Sequence, residues 1–120
     1  LPSSVIRDLS EEEMAHYRRA FSTPDDRQPT LNWPRQIPID NEPAHMVKLV
    51  DSYGQWMIGN TSLPKLFINT NPGSILTGKA REFCRSWPNQ TEVTVAGLHF
   101  IQEDSPNEIG SAVAQWLATI

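Results

Sequence analysis

The stretch Val95–Pro106, VAGLHFIQEDSP, decides how the fold is interpreted, because it leads from a β-like run through a histidine to a capped helix. Residues 91–95 alternate between polar and apolar side chains, which predicts a strand. Ser105 then begins a helix with a proline at its first position, and Glu108 completes a capping-box pattern with Ser105. The order strand, loop, helix places His99 in the loop.

The same order occurs once before in the second half of the chain. Residues 63–68 predict a short buried strand, residues 69–73 a turn, and residues 79–87 a helix. Strands that alternate with helices predict an α/β fold, in which a parallel sheet carries helices on its faces. Because two strands are too few for a sheet that is buried on both sides, residues 61–120 are expected to form the closing edge of a larger α/β domain.

The first half of the chain predicts helices joined by a proline-rich segment. Ser10 and Glu13 form a capping-box pattern, so a helix is expected to begin there and to run to about Ala20. Residues 23–43 contain five prolines and cannot form one continuous helix, since each proline lacks an amide donor and restricts the residue before it. A second helix is expected over residues 43–57.

Composition and charge argue against several classes of protein. The 120 residues carry a net charge of −4 and no block of basic residues, which argues against a nucleic-acid partner. No apolar run is long enough to span a bilayer and no signal peptide is visible, so no membrane partner is expected. The single cysteine, Cys84, excludes an internal disulfide and is compatible with a reducing compartment, so a cytoplasmic location is expected.

His99 is the residue whose position most favours chemistry. Sites in open α/β sheets form beyond the carboxyl ends of the strands, and an imidazole there can act as a general base near neutral pH. The alternative is a loop histidine with no special role. His16 and His45 are expected to face solvent, and the three histidines show no metal-ligand spacing, so neither a metal nor a cofactor is predicted.

A nucleophile for this base is not found in the chain. No glycine pair flanks a serine or an aspartate in the spacing of a nucleophile elbow. Cys84 lies on the apolar face of a predicted helix and is interpreted as a core thiol. Asp104 could orient His99, but Glu103 and Asp104 are more simply explained by the dipole of the helix that follows. Three tryptophans fit helical stripes and are expected in the core: Trp56, Trp87 and Trp116.

Several motifs resemble those of the haloalkane dehalogenases. The segment GLHFIQEDSPNEIG, Gly97–Gly110, resembles the histidine motif near the end of these enzymes. The likeness continues through LPSSVIRDLSEEEMAHYRRAF from Leu1, PTLNWPRQIPI from Pro29, LPKLFINTNPG from Leu63 and WPNQTEVTVAGLHF from Trp87. It is strongest to the branch that includes the hexachlorocyclohexane-degrading enzyme. Coelenterazine-type luciferases share several of these motifs.

The resemblance implies an α/β-hydrolase fold with a helical cap. Residues 1–60 would form most of the cap and the return to the core, and residues 61–120 the C-terminal part of the core. In this family an aspartate displaces the halide and forms an alkyl ester, and a histidine then activates water to hydrolyse the ester. Matched by motif, His99 would be that base. The nucleophile, the catalytic acid and the main halide-binding residues would precede Leu1, in the N-terminal half of the same enzyme.

The resemblance also implies a set of pocket residues. Trp33 and Pro34 would line the cavity from the cap, with Pro34 close to the leaving halide, and Ser4 would lie at the mouth of the tunnel. Ile37, Ile75 and Phe100 would add apolar wall. Without the resemblance these apolar residues would be interpreted as core, since large apolar side chains are usually buried. The implied partners are a halogenated substrate, water and the halide product.

Two alternatives to a dehalogenase stay open at this point. A luciferase-like monooxygenase or an epoxide hydrolase would keep the fold and change the chemistry through residues outside the chain. A free-standing, non-catalytic domain would be a protein of another class. Against the latter, an α/β sheet cut before its late strands exposes a strand edge and an apolar face.

Overall fold

The computed structural model describes residues 1–120 and consists of two compact units. The first unit combines Leu1–Asp8 with Met57–Ile120, and the second is Leu9–Trp56. None of the helices combines the length and the apolar character that a membrane span requires.

The second unit is helical. Its helices are α1 (Glu11–Arg19), α2 (Gln28–Asn32) and most of α3 (Ala44–Gly59), with 3-10 turns at Asp25–Arg27 and Pro34–Gln36. Residues 23–43 form short helical pieces, which agrees with the prediction that they cannot form one continuous helix. The capping box at the start of α1 is confirmed. The Glu13 amide donates to Ser10 Oγ at 3.2 Å, and the Ser10 amide donates to Glu13 Oε2 at 2.7 Å.

The first unit is built on two parallel strands, β1 (Lys65–Pro72) and β2 (Gln90–Gly97), joined through α4 (Gly78–Arg85). Their register runs from the pair Lys65 and Gln90 to the pair Pro72 and Gly97. The prediction that β1 ends at Ile68 was wrong. Its turn-forming residues Asn69–Pro72 stay extended because each of them finds a partner on β2.

A helix lies on each face of this two-stranded sheet. Side chains of β2 alternate between the faces. On one face, the Gln90 side chain donates to the Cys84 carbonyl of α4 and Glu92 accepts two hydrogen bonds from Arg85. On the other face, Thr91 and Val93 line a groove with α6 (Pro106–Leu117). The predicted α/β arrangement is confirmed.

Ser105 precedes α6 but does not form the predicted capping box with Glu108. Its side chain accepts no hydrogen bond from the helix. Instead, Ser105 Oγ donates to the carbonyl of Ala96 at 2.7 Å, and Ser105 is only 3% exposed. The hydroxyl therefore ties the start of α6 to the end of β2. A short helix that was not predicted, α5 (Ile101–Asp104), fills the space before Ser105.

Little apolar surface is buried within the chain. The buried hydrophobic residues are Val5, Val95 and Ala112. Trp56, expected in the core, is 55% exposed, because its stripe on α3 remains open to solvent. Other large apolar side chains are also exposed, among them Leu31, Ile39, Val50, Tyr53, Phe83 and Leu117.

Lys65 holds together the two loops that lead into the strands. It is 6% exposed. Its ammonium donates to the carbonyls of Asn60 at 2.6 Å, Leu63 at 3.1 Å and Pro88 at 2.9 Å. An ammonium has three donors, so every one of them is used. The amino ends of β1 and β2 are thereby fixed to each other.

We expect the isolated 120-residue chain to be oligomeric, molten or insoluble, because its exposed apolar side chains favour association. Size-exclusion chromatography with light scattering, together with binding of a hydrophobic dye, measures this. A monomer that melts in one sharp transition would contradict the expectation.

We expect Lys65→Met to destabilise the protein by about 2 kcal/mol, because the carbonyls of Asn60, Leu63 and Pro88 lose their charged donor. The exposed Lys79 on α4 offers a matched control, and Lys79→Met should change stability by less than about 0.5 kcal/mol. The readout is the urea midpoint by circular dichroism at one protein concentration, measured with residues 1–120 joined to the rest of the larger α/β domain that the sequence predicts. Equal midpoints for the two variants would show that the Lys65 ammonium contributes nothing.

Candidate functional site

The loops that follow β1 and β2 open at the same edge of the sheet, because the parallel strands end at paired residues, Pro72 and Gly97. A cavity of about 230 Å³ lies there. It is lined by Ile68, Asn69, Thr70, Ile75, Leu76, Leu98, His99 and Ile101. Two of the predicted site residues, His99 and Ile75, therefore face one cavity, and most of its wall is apolar.

The histidine loop is fixed through its backbone. The amides of His99 and Phe100 both donate to the Ser4 carbonyl, at 3.0 and 3.1 Å. The Leu98 amide donates to Asp104 Oδ2 at 3.1 Å. The ring of Phe100 lies beside the imidazole, with 4.5 Å between ring centroids and planes tilted by 56°. The predicted residues Ser4 and Phe100 thus lie next to His99.

Asp104 does not take the helix-dipole role that the sequence favoured. It was attributed to the dipole of the following helix, but its carboxylate accepts hydrogen bonds from Leu98 and from Ile6, outside that helix. Glu103 is likewise paired elsewhere, with Arg7 at 2.7 Å. Both acidic residues bind the Leu1–Asp8 segment, which no local sequence pattern could reveal.

Arg81 fixes the opposite wall of the cavity. It donates to the carbonyls of Thr70 at 3.1 Å and Leu76 at 3.2 Å, so that it closes the loop that carries Ile75. Gly73, at φ 73°, allows this approach: a Cβ there would lie 2.9 Å from Arg81 Nη2 and from Thr70 Oγ1. The Gly73 amide also donates to the Gly97 carbonyl at 2.9 Å. Sequence reasoning did not single out Arg81.

Asn69 places an amide in the cavity wall. It is 6% exposed, and its Nδ2 donates to Thr94 Oγ1 at 3.0 Å. Its Oδ1 is buried without a hydrogen-bond partner. An amide cannot supply the negative charge that stabilises an imidazolium, so Asn69 is not the acid partner of His99.

The remaining predicted site residues belong to the second unit. Trp33 and Ile37 line a shallow pocket of about 170 Å³ together with Gln36, Pro38 and Met46. Pro34 begins the 3-10 turn between them. Trp33 is 74% exposed, so a large aromatic face is open on this unit.

The other histidines and the cysteine are weaker candidates for a reactive centre than His99. His16 and His45 are exposed, as expected. Burial raises the pKa of the Cys84 thiol above its usual value, which keeps it protonated and poorly nucleophilic near neutral pH. No cluster of three or more His, Cys, Asp or Glu side chains has the geometry to hold a metal ion.

Comparison with known proteins connects this geometry to one family, although no family model matches the chain. A haloalkane dehalogenase of Sphingobium indicum strain UT26 is 55% identical over 118 residues, which cover 98% of this chain and 40% of the relative. A haloalkane dehalogenase of Mycolicibacterium smegmatis is 51% identical and covers 100% of this chain, with 39% of its own length matched.

Solved structures agree with these relatives. The crystal structure of the ancestral haloalkane dehalogenase AncHLD2 superposes with a TM-score of 0.89 at 41% identity, over 98% of this chain and 42% of that one. A mutant of DBJA superposes with a TM-score of 0.91 at 37% identity, over 98% and 41%. The chain is therefore a homologue of the haloalkane dehalogenases with their α/β-hydrolase fold, and it spans about 40% of the length of the curated relatives it matches.

Proposed function

We propose that the chain is the C-terminal portion of a haloalkane dehalogenase, which hydrolyses carbon–halogen bonds to an alcohol and a halide. The observation that carries the proposal is the 55% identity over 98% of the chain, in which His99 lies at the carboxyl end of β2. In this assignment residues 1–60 supply most of the cap and the return to the core. Residues 61–120 supply the C-terminal part of the core.

The proposed chemistry has two steps. An aspartate oxygen attacks the carbon that bears the halogen, and the halide leaves as an alkyl ester forms. His99 then takes a proton from water while the water oxygen attacks the ester carbonyl carbon. Collapse of the tetrahedral species releases the alcohol, which receives the proton, and regenerates the aspartate. The aspartate, the acid partner of His99 and the main halide-binding residues are assigned to the N-terminal half of the enzyme, which is the partner of this chain.

The environment of His99 supports a small apolar substrate. Ile75 and its neighbours give the cavity an apolar wall, which suits the apolar body of a haloalkane. Ser4 and Phe100 are assigned to the pocket because both lie against the His99 backbone or ring. The proposed substrate is thus a halogenated small molecule, with water as the second reactant and no cofactor.

The cap contributes the other proposed pocket residues. Trp33 and Ile37 would line the substrate cavity with their exposed apolar faces, and Pro34 would approach the leaving halide. The names of the relatives favour halide release over light emission or epoxide opening. A cytoplasmic location is part of the proposal and is supported by the single unpaired cysteine, Cys84.

The test uses a completed enzyme, in which residues 1–120 are joined to the upstream portion of the Sphingobium indicum relative. We expect it to release bromide and alcohol from a bromoalkane in equal amounts. Light emission with coelenterazine, or opening of an epoxide without halide release, would assign the chain to one of the alternatives. No activity from a folded, monomeric hybrid would refute the dehalogenase assignment.

In the completed enzyme, we expect His99→Gln to lower steady-state turnover by about 10³-fold, because water loses its base. One halide per enzyme should still be released, since the first step does not use the histidine. The alkyl ester should then accumulate and be visible by intact-protein mass spectrometry. His45→Gln, at an exposed histidine, is the control and should leave turnover unchanged. Loss of the first halide as well would assign His99 a different role.

We expect Ser4→Leu to narrow the tunnel mouth. The carbonyl that binds the histidine loop is backbone and survives the change. The ratio of kcat/KM for a bulky bromoalkane to that for a small one should therefore fall about tenfold. Ser3→Leu, at the exposed neighbouring residue, is the matched control. An unchanged ratio in Ser4→Leu would remove Ser4 from the tunnel mouth.

A further inference from the structure

The carboxylate of Asp104 joins two segments that are far apart in the sequence. Its Oδ1 accepts a hydrogen bond from the Ile6 amide at 2.7 Å and a longer one from the Arg7 amide at 3.4 Å. Its Oδ2 accepts one from the Leu98 amide at 3.1 Å. The amides of Ile6 and Leu98 thus bind different oxygens of the same carboxylate.

The same two segments are joined at a second point. The Ser4 carbonyl accepts hydrogen bonds from the amides of His99 and Phe100. The backbone on either side of His99 is therefore held, by Asp104 through Leu98 and by Ser4 through His99 and Phe100. Neither anchor touches the imidazole nitrogens, so both leave the ring free for chemistry.

A third contact strengthens the junction. The Arg7 guanidinium donates to the Glu103 carbonyl and to the Glu103 carboxylate, each at 2.7 Å. This ion pair is partly exposed and contributes little on its own. Asp104 differs, because an ionised carboxylate forms charge-assisted hydrogen bonds with amides and offers only acceptors. No neutral side chain offers two charged acceptor oxygens, one for the Ile6 amide and one for the Leu98 amide.

We propose that Asp104 is a positioning residue, which sets the place of His99 by clamping the Leu1–Asp8 segment to the histidine loop. The proposal rests on the proposed function of His99 as the base for ester hydrolysis. A base acts only when it lies within hydrogen-bond reach of the water, and a displacement of about 1 Å can lower a rate by about 10²-fold. Asp104 therefore controls the second chemical step without contacting the substrate.

Asp104→Asn tests the clamp with a minimal change of shape. The amide keeps one acceptor oxygen but replaces the other with an NH₂ donor, which then faces a backbone N–H. One segment must move away from it. Asp8→Asn is the matched control, because it removes the same charge from an exposed residue of the Leu1–Asp8 segment.

Three measurements are made on the completed enzyme and both variants. Rapid-quench halide release reports the first step, and its amplitude counts the working sites. Steady-state turnover per working site reports the slower of the two steps, and intact mass reports the ester. For Asp104→Asn we expect an unchanged first step, turnover lower by about 10- to 100-fold and accumulated ester. For Asp8→Asn we expect the parent values.

The proposal is overturned if Asp104→Asn leaves turnover unchanged, or if it slows or abolishes the first halide release as much as turnover.

Amide hydrogen exchange separates this proposal from the proposed function. If the completed parent enzyme releases no halide, the dehalogenase assignment fails, yet exchange still reports on the clamp. The clamp is supported if the amides of Ile6, Leu98 and His99 exchange at least tenfold faster in Asp104→Asn than in Asp8→Asn. Equal exchange rates in the two variants would refute it.

Discussion

The parallel pairing of β1 with β2 is the constraint on which the candidate site depends. The eight paired positions bring both strands to an end at the same edge, so that the loop with Ile75 and the loop with His99 must meet there. Lys65 holds the opposite ends together, and the hydrogen bond from Gly73 to Gly97 extends the ladder past the last pair. A shift in this register would separate the walls of the cavity.

The strands alone do not decide where the histidine lies. The loop after β2 takes its position from Leu1–Asp8, a segment more than 90 residues earlier in the chain. That segment has no regular structure beyond one 3-10 turn. It is held by hydrogen bonds to Asp104 and Glu103 and by the buried side chain of Val5. The backbone of the His99 loop is thus held by hydrogen bonds, whose distances and angles are confined to narrow ranges.

Local signals predicted the elements of this fold well. The capping box of Ser10 and Glu13, the prolines of residues 23–43 and the alternation before His99 each depend on neighbours within a few residues. Predictions were wrong where a distant partner competed. The sequence predicted a turn at Asn69–Pro72, but these residues pair with β2. It predicted a helix cap at Ser105, but the Ser105 hydroxyl donates to the Ala96 carbonyl. Asp104 binds an amide 98 residues away, and no pattern of spacing records such a contact.

The same reasoning explains which part of the candidate site the sequence could indicate. His99 and Ile75 follow strands, and parallel topology brings the ends of strands together without knowledge of any contact. Arg81 and Asp104 act through backbone carbonyls and amides, which every residue carries, so their partners have no signature in the sequence. In the proposed enzyme these two residues do not react. Arg81 holds the cavity wall in place, and Asp104 holds the loop that carries the base. A sequence motif identifies the base but not these two residues, because their roles arise only when the loops are folded.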